Sequence, residues 1–183
     1  MNKRMVGLAA LMLTACANAE PMETTDTKAL VYIEEPVQYD EMAVPDGDTS
    51  FKSYMDWGCI TNTRSIQYKM QQTAYTDSNG LRRYKTGEYM VAMGSFYGEV
   101  GDRFRITFGD GGVIDAVMGD LKADAHTDKT NRYTAVDGSK NVVEFIVETD
   151  ELSDIARRMG DVSYASDLLW GDVEKVEKMH DGS

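Results

Sequence analysis

The sequence predicts one small, mainly β domain, a short barrel with one or two short helices, standing behind an export segment and an acidic tether. Three observations predict it. A basic start is followed by a brief apolar run. Residues 20–50 are rich in acids and poor in large apolar side chains. From Tyr89 onward, short segments of alternating pattern are separated by glycine-containing turns.

The export segment spans residues 1–19. Asn2, Lys3 and Arg4 precede an apolar run from Met5 to Leu13, and small residues follow. The run is shorter than the roughly 20 residues a membrane-spanning helix needs. Two processing sites compete. Leu13-Thr14-Ala15-Cys16 has the form of a lipobox, in which the Cys16 thiol takes a lipid and the cysteine becomes the mature N-terminus. Ala17-Asn18-Ala19 has the form of an ordinary cleavage site before Glu20. The first is favoured, because a single thiol there has no other evident use. It implies a membrane lipoprotein facing the cell wall; the second implies a secreted protein.

Between Glu20 and Ser50 stand nine acidic residues, all three prolines of the chain and one base, Lys28. With little apolar surface to offset ordering entropy, this stretch reads as a disordered tether with a brief extended piece at Leu30 to Ile33. The domain is then residues 51–183.

Within it, Ile66, Met70 and Ala74 recur four apart and predict an amphipathic helix between Thr63 and Tyr75. Asp77-Ser78-Asn79-Gly80 supplies a turn. Phe104, Ile106 and Phe108 alternate with Arg103, Arg105 and Thr107, and Asp110-Gly111-Gly112 follows, which reads as a hairpin. Further strands are expected at Tyr89 to Phe96, Val113 to Met118, Asn141 to Val147 and Asp172 to Met179. A helix from about Glu151 to Met159 is expected between the last two, capped by Thr149 or Asp150 and closed by Arg157, Arg158 and Gly160.

Composition narrows the function classes. A formal net charge of −12 argues against nucleic acid as partner, since that requires clustered Lys and Arg. Apart from Cys16 the chain has one cysteine, Cys59, so no disulfide framework is available, and Cys59 reads as a small buried hydrophobe. No cofactor is implied, and the expected state is a monomer.

Two places could carry chemistry. The acid-rich loop Gly119 to Asp128, with Asp120, Asp124, His126 and Asp128, follows a strand. Glu144 sits within Val142-Val143-Glu144-Phe145-Ile146-Val147 and shares a strand face with Val142 and Ile146. A carboxyl group on such a face is poorly solvated, which suits a general acid; the other reading is that this face is the solvated one. Asp120, Asp124, His126 and Asp128 fit neither a calcium loop nor a standard zinc motif in spacing, so no metal is assigned.

From Tyr89 to Met179 the order of pieces resembles the double-psi β-barrel of bacterial cell-wall proteins, a superfamily that includes rare-lipoprotein-A-like transglycosylases, three-aspartate muralytic domains and expansins. Val117-Met118-Gly119-Asp120 resembles its first acidic element, and Val142-Val143-Glu144-Phe145, followed by Leu152 to Gly160, its second. The chain has Glu in place of the second Asp and lacks the usual Gly-Pro or Gly-Gly after the first acid. The resemblance implies Glu144 as the catalytic acid, Asp120 in support, and peptidoglycan or another wall polysaccharide as the partner. Tyr97, Tyr133 and Trp170 are candidates for stacking on sugar rings, with Asp124, His126 and Asp128 at the same substrate site. The expected activity is that of a lytic transglycosylase; the alternative is a non-catalytic, expansin-like binder of wall glycan.

Overall fold

The computed structural model describes residues 37–180; the export segment, Cys16 and the stretch Leu30 to Ile33 lie outside them. Among the described residues the protein is mainly β. Its strands are β1 (Gln38–Met42), β2 (Tyr54–Asp56), β3 (Tyr75–Thr76), β4 (Arg82–Arg83), β5 (Tyr89–Met93), β6 (Arg103–Phe108), β7 (Val113–Leu121), β8 (Thr134–Val136), β9 (Ser139–Asn141), β10 (Glu144–Val147) and β11 (Val173–His180). Two α-helices accompany them, α1 (Ile66–Thr73) and α2 (Asp154–Met159).

The main sheet runs β1-β11-β6-β7-β5-β10-β2, with β4 also on β5 and β3 on β4, while β8 and β9 form a separate hairpin. Two pairs, β5 with β7 and β10 with β2, are parallel, and the others are antiparallel. Among the described residues the path is open, ending at β1 and β2, so the strands do not close into a barrel by hydrogen bonding.

The alternation in β6 buries Phe104, Ile106 and Phe108 completely. They join Val91, Met93, Met118, Phe145 and Val147 in the larger apolar cluster. Met90, Val117 and Ile146 instead meet Met70 of α1 in a smaller cluster. Neighbours in sequence such as Met90 and Val91, or Phe145 and Ile146, therefore serve opposite faces of one sheet, as the two-residue strand period requires.

Several boundaries differ from expectation for identifiable reasons. β5 ends at Met93 rather than Phe96, where Gly94 packs so tightly on the loop that precedes β8 that an added Cβ would lie 1.9 Å from the Asn131 carbonyl oxygen. β7 continues past Met118 to Leu121, so Gly119 and Asp120 belong to a strand and not to the loop after it. The segment Asn141 to Val147 is divided, with Asn141 closing β9 and Glu144 opening β10. A 3₁₀ turn occupies Thr149–Glu151, and Ser153, rather than Thr149 or Asp150, caps α2 by accepting from the Ala156 amide; Gly160 closes the helix at φ 67°. In α1, Met70 is buried but Ile66 is 62% exposed, and Gln71 is buried beside Met70, so the inward face is rotated away from the one the apolar spacing suggests.

The largest difference lies in the segment read as a tether. Gln38–Met42 forms β1 and pairs antiparallel with β11 along five residues. Thr49 is buried, its amide donating to Asp172 Oδ1 at 2.7 Å and its hydroxyl approaching the Val173 carbonyl. Acidic composition does not prevent an edge strand from forming, since its exposed side chains stay in water while the backbone completes the ladder. Cys59 also departs from expectation: it is exposed.

Candidate functional site

Glu144 and Asp120 come together through strand register. Glu144 in β10 stands opposite Ala92 in β5, and Ala92 stands opposite Asp120 in β7. At a strand spacing of about 4.8 Å, the two acidic residues have Cα atoms about 10 Å apart across one sheet face. Ala92 is a methyl group between them, where a larger side chain would fill the gap.

The register holds because of a bulge. Val91 pairs with Met118 but Ala92 with Asp120, which leaves Gly119 as the extra residue. A Cβ on Gly119 would lie 2.7 Å from Ile146 Cδ1 and 3.0 Å from Met90 Cε. Gly119 thus faces the smaller cluster, and the bulge turns Asp120 to that same side instead of the opposite one.

The two acids line one cavity of about 270 Å³, shared with Met55, Ala92, Lys122 and His126. Met55 belongs to β2, and the segment around it supplies further contacts. Ser53 Oγ lies 2.9 Å from Glu144 Oε1, and Gln67 Nε2 of α1 donates to Asp120 Oδ1 at 3.4 Å. Lys122 is 8% exposed, and its Nζ donates to the Asn141 carbonyl at 2.7 Å. Burial pushes its ammonium down to about 8, against the attraction of Glu144.

The Asn141 amide joins these groups. Turned so that Nδ2 donates to the Val143 carbonyl at 2.9 Å, it receives the Ser53 hydroxyl at 2.5 Å and Lys122 Nζ at 3.2 Å on Oδ1. Ser53 then stands between Asn141 and Glu144. Lys122, Asn141, Ser53 and Glu144 form one connected polar group along the cavity wall.

No family model, curated protein or solved structure matches this chain.

The other expected site residues are dispersed in role. Asp124 is exposed and accepts from Ser95 Oγ at 2.7 Å. Asp128 organises its own loop, accepting the amides of Thr130, Arg132 and Tyr133 at 2.9, 2.8 and 3.2 Å. Burial acts to raise its pKa, but hydrogen bonds from Thr130 and those amides outweigh it and hold the carboxyl far below the usual range. Tyr97 is 1% exposed, with its hydroxyl on the Ala43 carbonyl, so it is a core residue out of reach of a sugar ring. Tyr133 is partly buried against the larger cluster, with Lys140 over its ring. Trp170 packs edge-on against Tyr164 and does not line the Asp120–Glu144 cavity. Among the described residues, no three His, Cys, Asp or Glu side chains are grouped to hold a metal ion.

Glu144 is half-buried and Ile146, on the same face of β10, is fully buried, whereas Val142 precedes the strand and belongs to the larger cluster behind the other face, not to the face of Glu144 as its spacing suggested. Its face is therefore not the solvated side of the strand. Sequence reasoning missed Lys122, Ser53, Asn141 and Gln67. A lysine immediately after an apolar strand carries a weak signal at best, and the other three are common surface residue types.

Proposed function

We propose that this domain acts on the cell wall as an exported lytic transglycosylase cleaving peptidoglycan, with Glu144 as general acid and base and Asp120 in support. The observation that supports it is the row Glu144, Ala92, Asp120 across three neighbouring strands, which gives two carboxyl groups one cavity. Glu144 protonates the glycosidic oxygen as its bond to the sugar breaks. As a carboxylate it then takes the proton from a hydroxyl of the same sugar, whose oxygen closes the anhydro ring, so no water is consumed. Asp120, held by Gln67, orients the sugar and stabilises the positive charge that develops on its ring.

Two parallel pairs within an otherwise antiparallel path support a crossed, double-psi-like arrangement over a simple meander. The lipobox supports anchoring through Cys16, with the wall within reach of the domain.

A second reading, a non-catalytic binder of wall glycan, is favoured by the mixed charge of the cavity. Two acids and a buried ammonium can hold sugar hydroxyls without any proton transfer. Incubation of the purified protein with peptidoglycan separates the two. A transglycosylase releases fragments ending in anhydro sugars, and Glu144→Gln lowers that release by roughly 10²–10⁴-fold while folding is preserved. A binder sediments with insoluble wall and releases nothing.

A further inference from the structure

We infer that Lys122 is the positioning residue of this site, holding Glu144 through Asn141 and Ser53 and stabilising the carboxylate that Glu144 becomes when it gives up its proton. The inference rests on the transglycosylase reading for its catalytic meaning, but the pairing itself is a property of the fold.

A lysine seldom lies this deep without a carboxylate in contact. Lys122 is more than nine-tenths buried, yet its direct partners are neutral oxygens, the Asn141 carbonyl and, in the favoured amide orientation, Asn141 Oδ1. The cavity it lines contains three other titratable groups. Glu144 comes from β10, Asp120 from β7, and His126 from the 3₁₀ turn Asp124–His126. Of the acids, Glu144 is the one connected to Lys122 by hydrogen bonds: the single Ser53 proton goes to Asn141 Oδ1, which also accepts from Lys122 Nζ, and the protonated Glu144 carboxyl donates to Ser53 Oγ across 2.9 Å. Asp120 is instead held from the helix side by Gln67.

This division gives the two acids different surroundings. Negative charge appears on Glu144 as its proton moves to the leaving oxygen, and a fixed ammonium in a partly desolvated cavity stabilises that charge without reorganisation. The Ser53 hydroxyl limits the rotamers open to the Glu144 side chain, so its oxygens face the cavity when substrate arrives. The burial that lowers the lysine's proton affinity sets an upper pH for the arrangement, because the site loses its cation as pH passes about 8.

The test follows Lys122 directly, by NMR titration of its side chain in the mature chain from Glu20 onward with labelled lysine. The wild type is expected to titrate near 8, and Glu144→Gln, which removes the attracting carboxylate, is expected to lower that midpoint by about one pH unit. Asp120→Asn is expected to move it less. A Lys122 midpoint at the ordinary lysine value of about 10.4, or one that Glu144→Gln leaves in place, overturns the inference.

Activity on wall supplies the second measurement. Lys122→Met is expected to lower release of anhydro fragments about tenfold, and Lys122→Arg, which keeps its charge, to retain most of that release. Rates that fall alike in both variants also overturn it. A coupled titration with no wall cleavage in any variant supports the Lys122–Glu144 pairing and removes the transglycosylase reading.

Discussion

Glu144 and Asp120 stand opposite the same residue, Ala92, from the two strands that flank it. The site therefore depends on a side chain that takes no part in chemistry. Ala92→Leu places three more carbons in the row between the acids. The expected result is at least a tenfold loss of wall cleavage or wall binding, with a stability cost of about 1–3 kcal/mol from overpacking. Co-sedimentation with insoluble wall and a thermal melt read the two effects separately.

Gly119 tests how closely the smaller cluster packs on the bulge. A side chain there meets Ile146 and Met90 at less than normal contact distance. Gly119→Val is expected to destabilise the domain by about 2–3 kcal/mol, through strain in the smaller cluster. Denaturant melts measure it. A neutral result would show that the ends of the Ile146 and Met90 side chains shift to make room.

The acidic segment before Phe51 is expected to stabilise the domain. A chain beginning at Phe51 lacks β1, the packing of Met42 and Val44 on the larger cluster, and the Thr49 contacts to Asp172 and Val173. Compared with a chain beginning at Val37, it should lose about 3 kcal/mol, or roughly 10 °C in melting temperature. Equal melting of the two chains would show that the ladder between β1 and β11 adds nothing.

Two buried lysines give stability a distinctive dependence on pH. Burial pushes Lys52, fully enclosed and donating to the Ser50 and Gly171 carbonyls, down to about 8, as it does Lys122. In the unfolded chain both hold their protons to about 10.4. Between about pH 8 and 10 the unfolded state therefore binds more protons, so this contribution to stability rises with pH. Below pH 8 both states are protonated and the full cost of burying the charge remains. The melting temperature is expected to rise from pH 8 toward 10, and to rise less in Lys52→Met. A flat or falling curve in the wild type, unchanged in the variant, would contradict the assignment.

For Cys16 the expectation rests on the lipobox. Cys16→Ser should move the protein from the membrane fraction to the soluble exported fraction. Recovery of the native protein wholly in soluble form, with Glu20 at its N-terminus, selects cleavage after Ala19 instead.

The sequence by itself determined the elements whose periodicity is local. Phe104, Ile106 and Phe108 could bury together only on one face of a strand, and Gly160 after Arg157 and Arg158 marked the end of α2. It also singled out Glu144 by its contrast with apolar neighbours in the chain, and Asp120 as the first acid of an acid-rich stretch that follows an apolar strand. Tertiary structure decided everything that depends on which strand lies beside which. Acids 24 positions apart share a cavity because β5 inserts between β7 and β10, and because the extra residue Gly119 turns Asp120 to the Glu144 side. No pattern within a strand records its neighbour or a one-residue bulge, since pairing energy comes from backbone groups that every sequence carries. For the same reason Gln38–Met42 joined the sheet despite its acids, and Lys122 became a buried cation beside Glu144. Burial is set by the segments that close over a residue, and those segments are distant in sequence.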